Sequence, residues 1–191
     1  MDIQRKYSQE NTFKNIITKK HNVIETDLDK GLNFFITGSA GCGKSYLLNA
    51  LASSDQLIKN IEITLSTGKA AHQIKGMTIH SFAGIKVGTK PMEYYYNHMT
   101  PDVFNRWRNT HVLIINEISM INAQTFDLLH NLACKINQCY DELFGGIQVI
   151  VCGDFYQLPP VKGDYVFKST IWKQYMHNVL ELTECFRQKK S

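Results

Sequence analysis

The sequence lacks the features of a secreted, membrane-spanning or disulfide-stabilised protein. No apolar run among its 191 residues is long enough to cross a bilayer, and the N-terminal stretch MDIQRKYSQE is too polar for a secretory signal peptide. Five cysteines occur, but none forms a CxxC pair or a spacing typical of a disulfide framework. We therefore expect reduced thiols in an intracellular protein with no membrane contact; a nuclear, mitochondrial or viral-replication site is left open.

Repeats and low-complexity segments are also absent, so the chain reads as ordinary globular sequence. With 43% hydrophobic residues, 191 residues can build one domain with a sizeable core but not two large ones. The net charge of +4 permits a polyanionic partner without requiring one.

Short apolar segments rich in Ile, Val, Leu and Phe predict strands that are covered on both faces. The predicted strands are NFFIT (33–37), IEITLS (61–66), HVLIIN (111–116), GIQVIVC (146–152) and NVLELT (178–183). Helical patterns lie between them, at 44–53 and at 121–139, the second with Ser119 as its predicted N-cap. Residues 86–110 are more polar and predict a surface excursion with a short helix. Alternation of strands and helices predicts an α/β fold with a parallel sheet.

The segment GSAGCGKS (38–45) follows the first predicted strand and opens a helix, as a P-loop does. Gly38, Gly41 and Gly43 allow a tight turn whose N–H groups point at phosphate oxygens. The helix N-terminus adds partial positive charge. Lys44 can then reach the β- and γ-phosphates, and Ser45 can hold Mg²⁺. The motif by itself predicts a nucleotide site but not its task.

The strand HVLIIN delivers two polar residues, Asn116 and Glu117, at its C-terminal end. A carboxylate at the end of the strand neighbouring the P-loop strand can polarise water for attack on the γ-phosphate, which is the role predicted for Glu117. An Asp is expected where Asn116 stands. We interpret the segment as a Walker B strand with one substitution, in which Asn116 contacts Mg²⁺ only through a neutral carboxamide.

The segment CGDFYQLPPV (152–161) places a third polar group at a strand end. The carboxamide of Gln157 can touch the γ-phosphate, and Asp154 can bond to backbone within the turn. Considered without the other two motifs, this stretch is better interpreted as an ordinary strand-end turn.

Five segments in this order resemble the first RecA-like domain of the Pif-type DNA helicases of superfamily one, over about residues 8 to 188. They are GSAGCGKS, STGKAAHQIKGMTIHSFAGI, LIINEISM, FGGIQVIVCGDFYQLPPV and LTECFRQ. The resemblance implies a RecA-like P-loop NTPase that couples ATP hydrolysis, with Mg²⁺, to 5′-to-3′ movement on single-stranded DNA. It also implies a nucleotide-reading helical segment at 1–30, an ATPase domain at 31–191 and a second RecA-like domain downstream. We expect a monomer that hydrolyses ATP poorly as this fragment alone.

The resemblance assigns roles residue by residue. The predicted catalytic residues are Lys44, Glu117, Gln157 and Arg187, with Ser45, Asn116 and Glu117 at the metal. The predicted nucleotide-binding residues are Asn11, Gly38, Ala40, Gly41, Cys42, Gly43, Lys44, Ser45 and Tyr46. The predicted DNA contacts are Thr67, Lys69, Thr78, His80, Ser81 and Phe82, with hydroxyls and charge for phosphates and an aromatic ring for base stacking. Without the resemblance, Phe82 would be assigned to the core and His80 to a capped loop.

Two alternatives remain open from the sequence. At the adenine-reading position Asn11 replaces the usual Gln, with Gln9 nearby, so either carboxamide could pair with the base. From another functional class, the chain could be a nucleotide- and DNA-binding module that no longer hydrolyses ATP. Asn116 favours this second reading, whereas intact Lys44, Glu117 and Gln157 oppose it.

Overall fold

The computed structural model describes residues 30–52, 60–66 and 77–183, and their strands form a single parallel sheet. The strands are β1 (Phe34–Gly38), β2 (Ile61–Leu65), β3 (Met77–Thr78), β4 (Val112–Asn116), β5 (Gln148–Gly153) and β6 (Asn178–Leu182). Their order across the sheet is β3-β2-β4-β5-β1-β6, and every pairing is parallel. The predicted α/β fold with a parallel sheet is confirmed.

Helices connect the strands. They are α1 (Lys44–Ala52), α2 (Ile79–Ala83), α3 (Met92–Asn97), α4 (Pro101–Asn109), α5 (Ala123–Asn137) and α6 (Thr170–Tyr175). Short 3₁₀ turns lie at Ile118–Met120, Leu143–Gly146 and Val166–Lys168. None of the helices that the structure describes is long and apolar enough to cross a membrane.

Successive side chains of a strand point to opposite faces of the sheet, so the central strands contribute to two separate hydrophobic cores. On one face, Ile36, Ile114 and Cys152 pack with Leu47 and Leu51 of α1. The opposite face carries the larger core, built around the buried side of α5 and the aromatic residues of the helices beside it. Because β4 and β5 are buried along their whole length, both faces contribute to holding the carboxyl ends of these strands in place.

The observed elements correct four details of the sequence predictions. Asn122, not Ser119, caps α5: its side chain accepts the Thr125 N–H at 2.8 Å. Ser119 lies within the 3₁₀ turn Ile118–Met120 and is fully buried, so it does not cap α5. Residues 86–110 contain two helices rather than one, and β3 was not predicted. Finally, β6 is an edge strand whose Val179 is 59% exposed, so it is not covered on both faces.

Candidate nucleotide and nucleic-acid site

The three predicted motifs end at the same edge of the sheet. β5 lies between β1, which leads into the P-loop, and β4, which leads into Glu117. In register, Cys152 of β5 pairs with Ile36 on one side and with Asn116 on the other. The expectation that β4 lies directly beside the P-loop strand β1 is therefore wrong, because β5 lies between them. The insertion of β5 brings the Asp154–Gln157 turn between the other two motifs.

Glycine is required at the start of the P-loop. Gly38 has φ of 146°, and a Cβ there would lie 2.7 Å from Cys42 Sγ. Gly41 and Gly43 follow with φ of 83° and 90°, a conformation that other residues rarely adopt. These backbone angles form the turn that the GSAGCGKS motif predicts.

The ammonium group of Lys44 lies within this loop. Its Nζ donates to the carbonyl oxygens of Gly38 at 2.6 Å and Ser39 at 3.0 Å. Cys42 is buried and its thiol also donates to Ser39 O, at 2.8 Å. Lys44 thus stands at the first turn of α1 as a buried cation held by two carbonyls, which phosphate oxygens can replace as stronger acceptors.

Ser45 and Tyr46 follow Lys44 on α1 and are exposed. The Ser45 hydroxyl therefore faces solvent at the helix N-terminus, where it can reach a metal ion on the phosphates. Ala40 lies in the loop beside Gly41, as predicted, and is exposed as well.

Glu117 adopts a left-handed backbone conformation, with φ of 57° and ψ of 46°. Non-glycine residues take this conformation rarely, and it concentrates at functional sites. Asn116, buried beside it, stabilises the bend because its Oδ1 accepts the Glu117 N–H at 3.0 Å. The one good acceptor of the Asn116 side chain is thus already engaged by backbone.

The thiol of Cys152, at the end of β5, is affected by charged groups from two of the motifs. It is fully buried, and burial raises the pKa of its thiol far above the ordinary value. Two opposite charges act on the same pKa: Lys44 lowers it and Glu117 raises it. The P-loop cation and the Glu117 carboxylate therefore both act on the sulfur at the end of β5, which is neutral at physiological pH.

The turn after β5 is organised by Asp154. Its carboxylate accepts the Tyr156 N–H at 3.0 Å and the Gln157 Nε2–H at 3.1 Å. The predicted backbone role of Asp154 is confirmed. Its bond to the Gln157 side chain was missed, although the D-x-x-Q spacing of a turn would have allowed it.

The donor set suits Mg²⁺ bound mainly to nucleotide. The oxygens at this edge are the Ser45 hydroxyl and the Glu117 carboxylate, which are the hard ligands that Mg²⁺ prefers. Within the described ranges, no group of three or more His, Cys, Asp or Glu side chains could hold a metal ion unaided. Asn116 Oδ1 already accepts the Glu117 N–H and is neutral, so any Mg²⁺ here would depend mainly on Ser45, the Glu117 carboxylate and phosphate oxygens.

The predicted DNA contacts at 78–82 lie at the start of α2. Thr78 is its N-cap: its Oγ1 accepts the Ser81 N–H at 3.1 Å and lies 2.9 Å from Ser81 Oγ. Exposed Ser81 can therefore offer its hydroxyl to a phosphate while Thr78 holds the helix end. Burial lowers the pKa of His80, so this side chain is neutral at pH 7 and can act by hydrogen bonding, not by charge.

The stacking role predicted for Phe82 is wrong for the conformation described. Its ring is fully buried and packs edge-on against Trp107, with ring centroids 4.8 Å apart. Arg106 of α4 donates to the carbonyl oxygens of Ser81 and Phe82, both at 3.1 Å. Phe82 and Arg106 thus support the short helix α2, which presents Ser81.

Four predicted site residues lie outside the described residues. They are Asn11, Thr67, Lys69 and Arg187.

Residues 5–191 match the family described as PIF1-like helicase. The chain belongs to the PIF1-like helicase family. The chain is 43% identical over 178 residues to ATP-dependent DNA helicase PIF1 of Danio rerio, covering 90% of this chain and 28% of that protein. It is 45% identical over 165 residues to ATP-dependent DNA helicase PIF1 of Homo sapiens, covering 83% and 25%.

Solved PIF1-like helicase structures share the fold. The crystal structure of Pif1 helicase from Candida albicans superposes with a TM-score of 0.83 at 40% identity, covering 90% of this chain and 40% of that one. Pif1 helicase from Bacteroides, in complex with ADP-AlF3 and ssDNA, gives 0.78 at 32% identity, covering 91% and 42%. The fold is that of a RecA-like P-loop NTPase, and the chain spans about a quarter of the length of its curated relatives.

Asn116→Asp is expected to lower the Mg²⁺ concentration needed for nucleotide binding and to speed ATP hydrolysis. An aspartate can accept the Glu117 N–H with one oxygen and offer the other, negatively charged, to a metal-bound water. Restoring one charge-assisted hydrogen bond is worth about 1–3 kcal/mol. Titration of Mg²⁺ in nucleotide-binding and ATPase assays measures the effect.

The matched control is Asn105→Asp, which adds the same charge on the exposed side of α4. It should leave the Mg²⁺ dependence unchanged. If Asn116→Asp behaves like this control, residue 116 does not serve the metal and its amide serves only the backbone bend.

Proposed function

We propose that this chain is the ATP-binding motor domain of a DNA helicase that couples ATP hydrolysis to 5′-to-3′ translocation on single-stranded DNA. The observation that carries the proposal is the meeting of the Lys44 loop, Glu117 and the Asp154–Gln157 turn at one edge of the sheet. Phosphoryl transfer needs such a set: a cradle for phosphates, a group that orients water and a group that responds to the γ-phosphate.

The chemistry follows from the charges at this edge. Lys44 exchanges its bonds to Gly38 and Ser39 for phosphate oxygens and balances their charge as the bond to the leaving ADP breaks. Glu117, held in its left-handed bend, accepts a proton from the attacking water. Mg²⁺, bound through Ser45 and the phosphates, would supply further positive charge.

The contact with DNA is proposed to begin at the first turn of α2. Ser81 is exposed and held by the Thr78 cap and by Arg106, which suits a contact to phosphate. The positive net charge of +4 would add an attraction that does not depend on sequence. Thr67 and Lys69 are proposed to extend this surface.

A second RecA-like domain is proposed to complete the site in the whole protein. The coverage of relatives supports this, since Danio rerio PIF1 extends far beyond the 28% that this chain covers. The remaining roles, an adenine contact from Asn11 and a γ-phosphate contact from Arg187, stay proposals. So do a monomeric state and an intracellular location, the latter supported by free thiols at Cys42, Cys134, Cys139 and Cys152.

A steady-state ATPase assay on residues 1–191, with and without oligothymidine, tests the function. We expect weak Mg²⁺-dependent turnover, because a pocket completed by a second domain has few preorganised contacts without it. Adding a second RecA-like domain from a relative should raise turnover and make it depend on DNA. If nucleotide and DNA bind but neither form of the protein hydrolyses ATP, the alternative of a hydrolysis-impaired binding module replaces the motor.

Binding to single-stranded DNA is expected to be modest and salt-sensitive. Contacts to phosphate release counterions, so the logarithm of the affinity falls with that of the salt concentration, by about 0.7 for each phosphate contacted. Fluorescence anisotropy of a labelled oligothymidine across a salt series gives this slope. Ser81→Ala should weaken DNA binding, whereas Thr170→Ala, at an exposed position of α6, should not. Affinity that ignores salt, or a preference for duplex, would contradict the proposed surface.

A further inference from the structure

Asp154 holds both the backbone and a side chain of the turn that carries Gln157. Its Oδ1 accepts the Tyr156 N–H at 3.0 Å, its Oδ2 accepts the Gln157 Nε2–H at 3.1 Å, and its backbone oxygen accepts the Gln157 N–H at 3.0 Å. The Asp154 side chain is only 8% exposed, whereas Gln157 is exposed. The carboxamide of Gln157 is thus bonded at one end to a buried carboxylate, and the residue is exposed to solvent.

Hydrogen-bond chemistry determines which end of the Gln157 carboxamide faces Asp154. An ionised carboxylate only accepts hydrogen bonds, so the group that faces Asp154 must be the NH₂ of Gln157. The carboxamide oxygen, Oε1, and the second N–H then remain for a ligand. Without the carboxylate the two ends of the amide would be nearly equivalent in shape, and either could face the site.

The turn that carries this pair is itself held firmly. Phe155 packs against Phe35 and Phe167, with ring centroids 5.4 Å and 5.0 Å apart. On the other side, a Cβ on Gly153 would lie 3.0 Å from Ile118, in the turn that follows Glu117. The end of β5, which precedes Gln157, and the turn that follows Glu117 are therefore in close contact.

We propose that Asp154 is a positioning residue that orients the Gln157 carboxamide so that Oε1 accepts a hydrogen bond from the attacking water. This rests on the proposed ATPase function. An amide oxygen facing a γ-phosphate oxygen would place two acceptors against each other, whereas water offers two protons. One proton goes to Glu117 and the other is held by Gln157, which aims a lone pair of the water at phosphorus.

The step balances without any further reactant. A bond forms between the water oxygen and the γ-phosphorus, and the bond from that phosphorus to the bridging oxygen breaks. The electron pair leaves with ADP, and the water proton passes to the Glu117 carboxylate. Asp154 neither gains nor loses a proton, and Gln157 only accepts a hydrogen bond.

The test uses two variants of residues 1–191, Asp154→Asn and Asp154→Ser. Both keep an oxygen that can accept the Tyr156 N–H, so the turn is preserved. Asp154→Asn turns an NH₂ toward Gln157, which favours the flipped carboxamide, and Asp154→Ser removes the second acceptor. Asp141→Asn, at an exposed site, is the matched control.

Binding of ADP with aluminium fluoride, which imitates the transferring phosphoryl group with its water, is compared with binding of ADP with beryllium fluoride, which imitates ATP before attack. Both variants should lose about 10-fold or more in affinity for the aluminium complex and keep their affinity for the beryllium complex. Unchanged binding of both complexes, or an equal loss for both, would overturn the positioning role.

Two further outcomes of this experiment also have a defined interpretation. If the wild-type chain binds neither complex, the proposed function fails, and the role of Asp154 fails with it. If the variants do not fold, side-chain amide NMR of the wild type decides, with the Gln157 signal assigned by its loss in Gln157→Leu. One proton of this carboxamide should be protected from exchange without nucleotide; an amide that exchanges freely contradicts the proposal.

Discussion

Glu117→Gln should lower the rate of ATP hydrolysis about 10²–10⁴-fold, which is the range that loss of a general base produces. The glutamine has nearly the same shape, so it can occupy the same left-handed bend and keep the N–H bond to Asn116. Nucleotide binding and the melting temperature should therefore change little. Single-turnover hydrolysis, with nucleotide affinity measured separately, distinguishes the two steps.

The matched control for this variant is Glu93→Gln, which removes a carboxylate from the exposed first turn of α3. It should hydrolyse ATP like the wild type. Equal rates for Glu117→Gln and the wild type would show that another group takes the proton. A large loss of stability in Glu117→Gln would instead mean that the carboxylate serves the fold.

Lys44→Met should weaken ATP binding about 10–100-fold, the value of one or two charge-assisted hydrogen bonds. Hydrolysis should fall a further 10²–10³-fold or so, because the lysine also balances charge in the transition state. The fold is expected to survive, since methionine fills a similar volume and the two carbonyls that Lys44 contacts are only partly buried. Calorimetric binding and hydrolysis rates give the two losses.

Lys173→Met, on the exposed side of α6, controls for the loss of one positive charge from the protein. Lys44→Arg adds a sharper comparison: a planar guanidinium cannot take the position of a compact ammonium between Gly38 and Ser39. It should also lose activity despite its charge. Full activity in Lys44→Arg would contradict the role given to this loop.

Most of the sheet was predictable because its strands are short apolar runs bounded by polar residues. β4 and β5 agree with their predicted ranges to within two residues. What sequence did not reveal depends on contacts between distant residues. The two-residue strand β3 has too little pattern, and the position of β5 between β1 and β4 follows only from pairing across the sheet. Ser119 and Asn122 are both good caps, and the 3₁₀ turn after Glu117 decides between them.

The residues of the candidate site that belong to local sequence motifs were predicted correctly more often than those whose burial or orientation depends on distant contacts. The GSAGCGKS loop needs only its own backbone angles, so the sequence identified it directly. The stacking role of Phe82 came from the resemblance, whereas its apolar ring alone favoured the core, where it packs on Trp107, 25 residues later in the chain. The direction of the Gln157 carboxamide was likewise hidden, since it is set by a side-chain hydrogen bond that Gln157 donates to Asp154.

A crystal structure of this chain with ADP, aluminium fluoride and Mg²⁺ tests the central claim most directly. Lys44 Nζ should leave Gly38 O and Ser39 O and bond to phosphate oxygens or to the fluorides that take the place of γ-phosphate oxygens. The Glu117 carboxylate should lie about 2.6–3.2 Å from the in-line water. Gln157 Oε1 should contact the same water. A nucleotide bound elsewhere, or a complex in which Glu117 lies beyond reach of that water, would contradict the account.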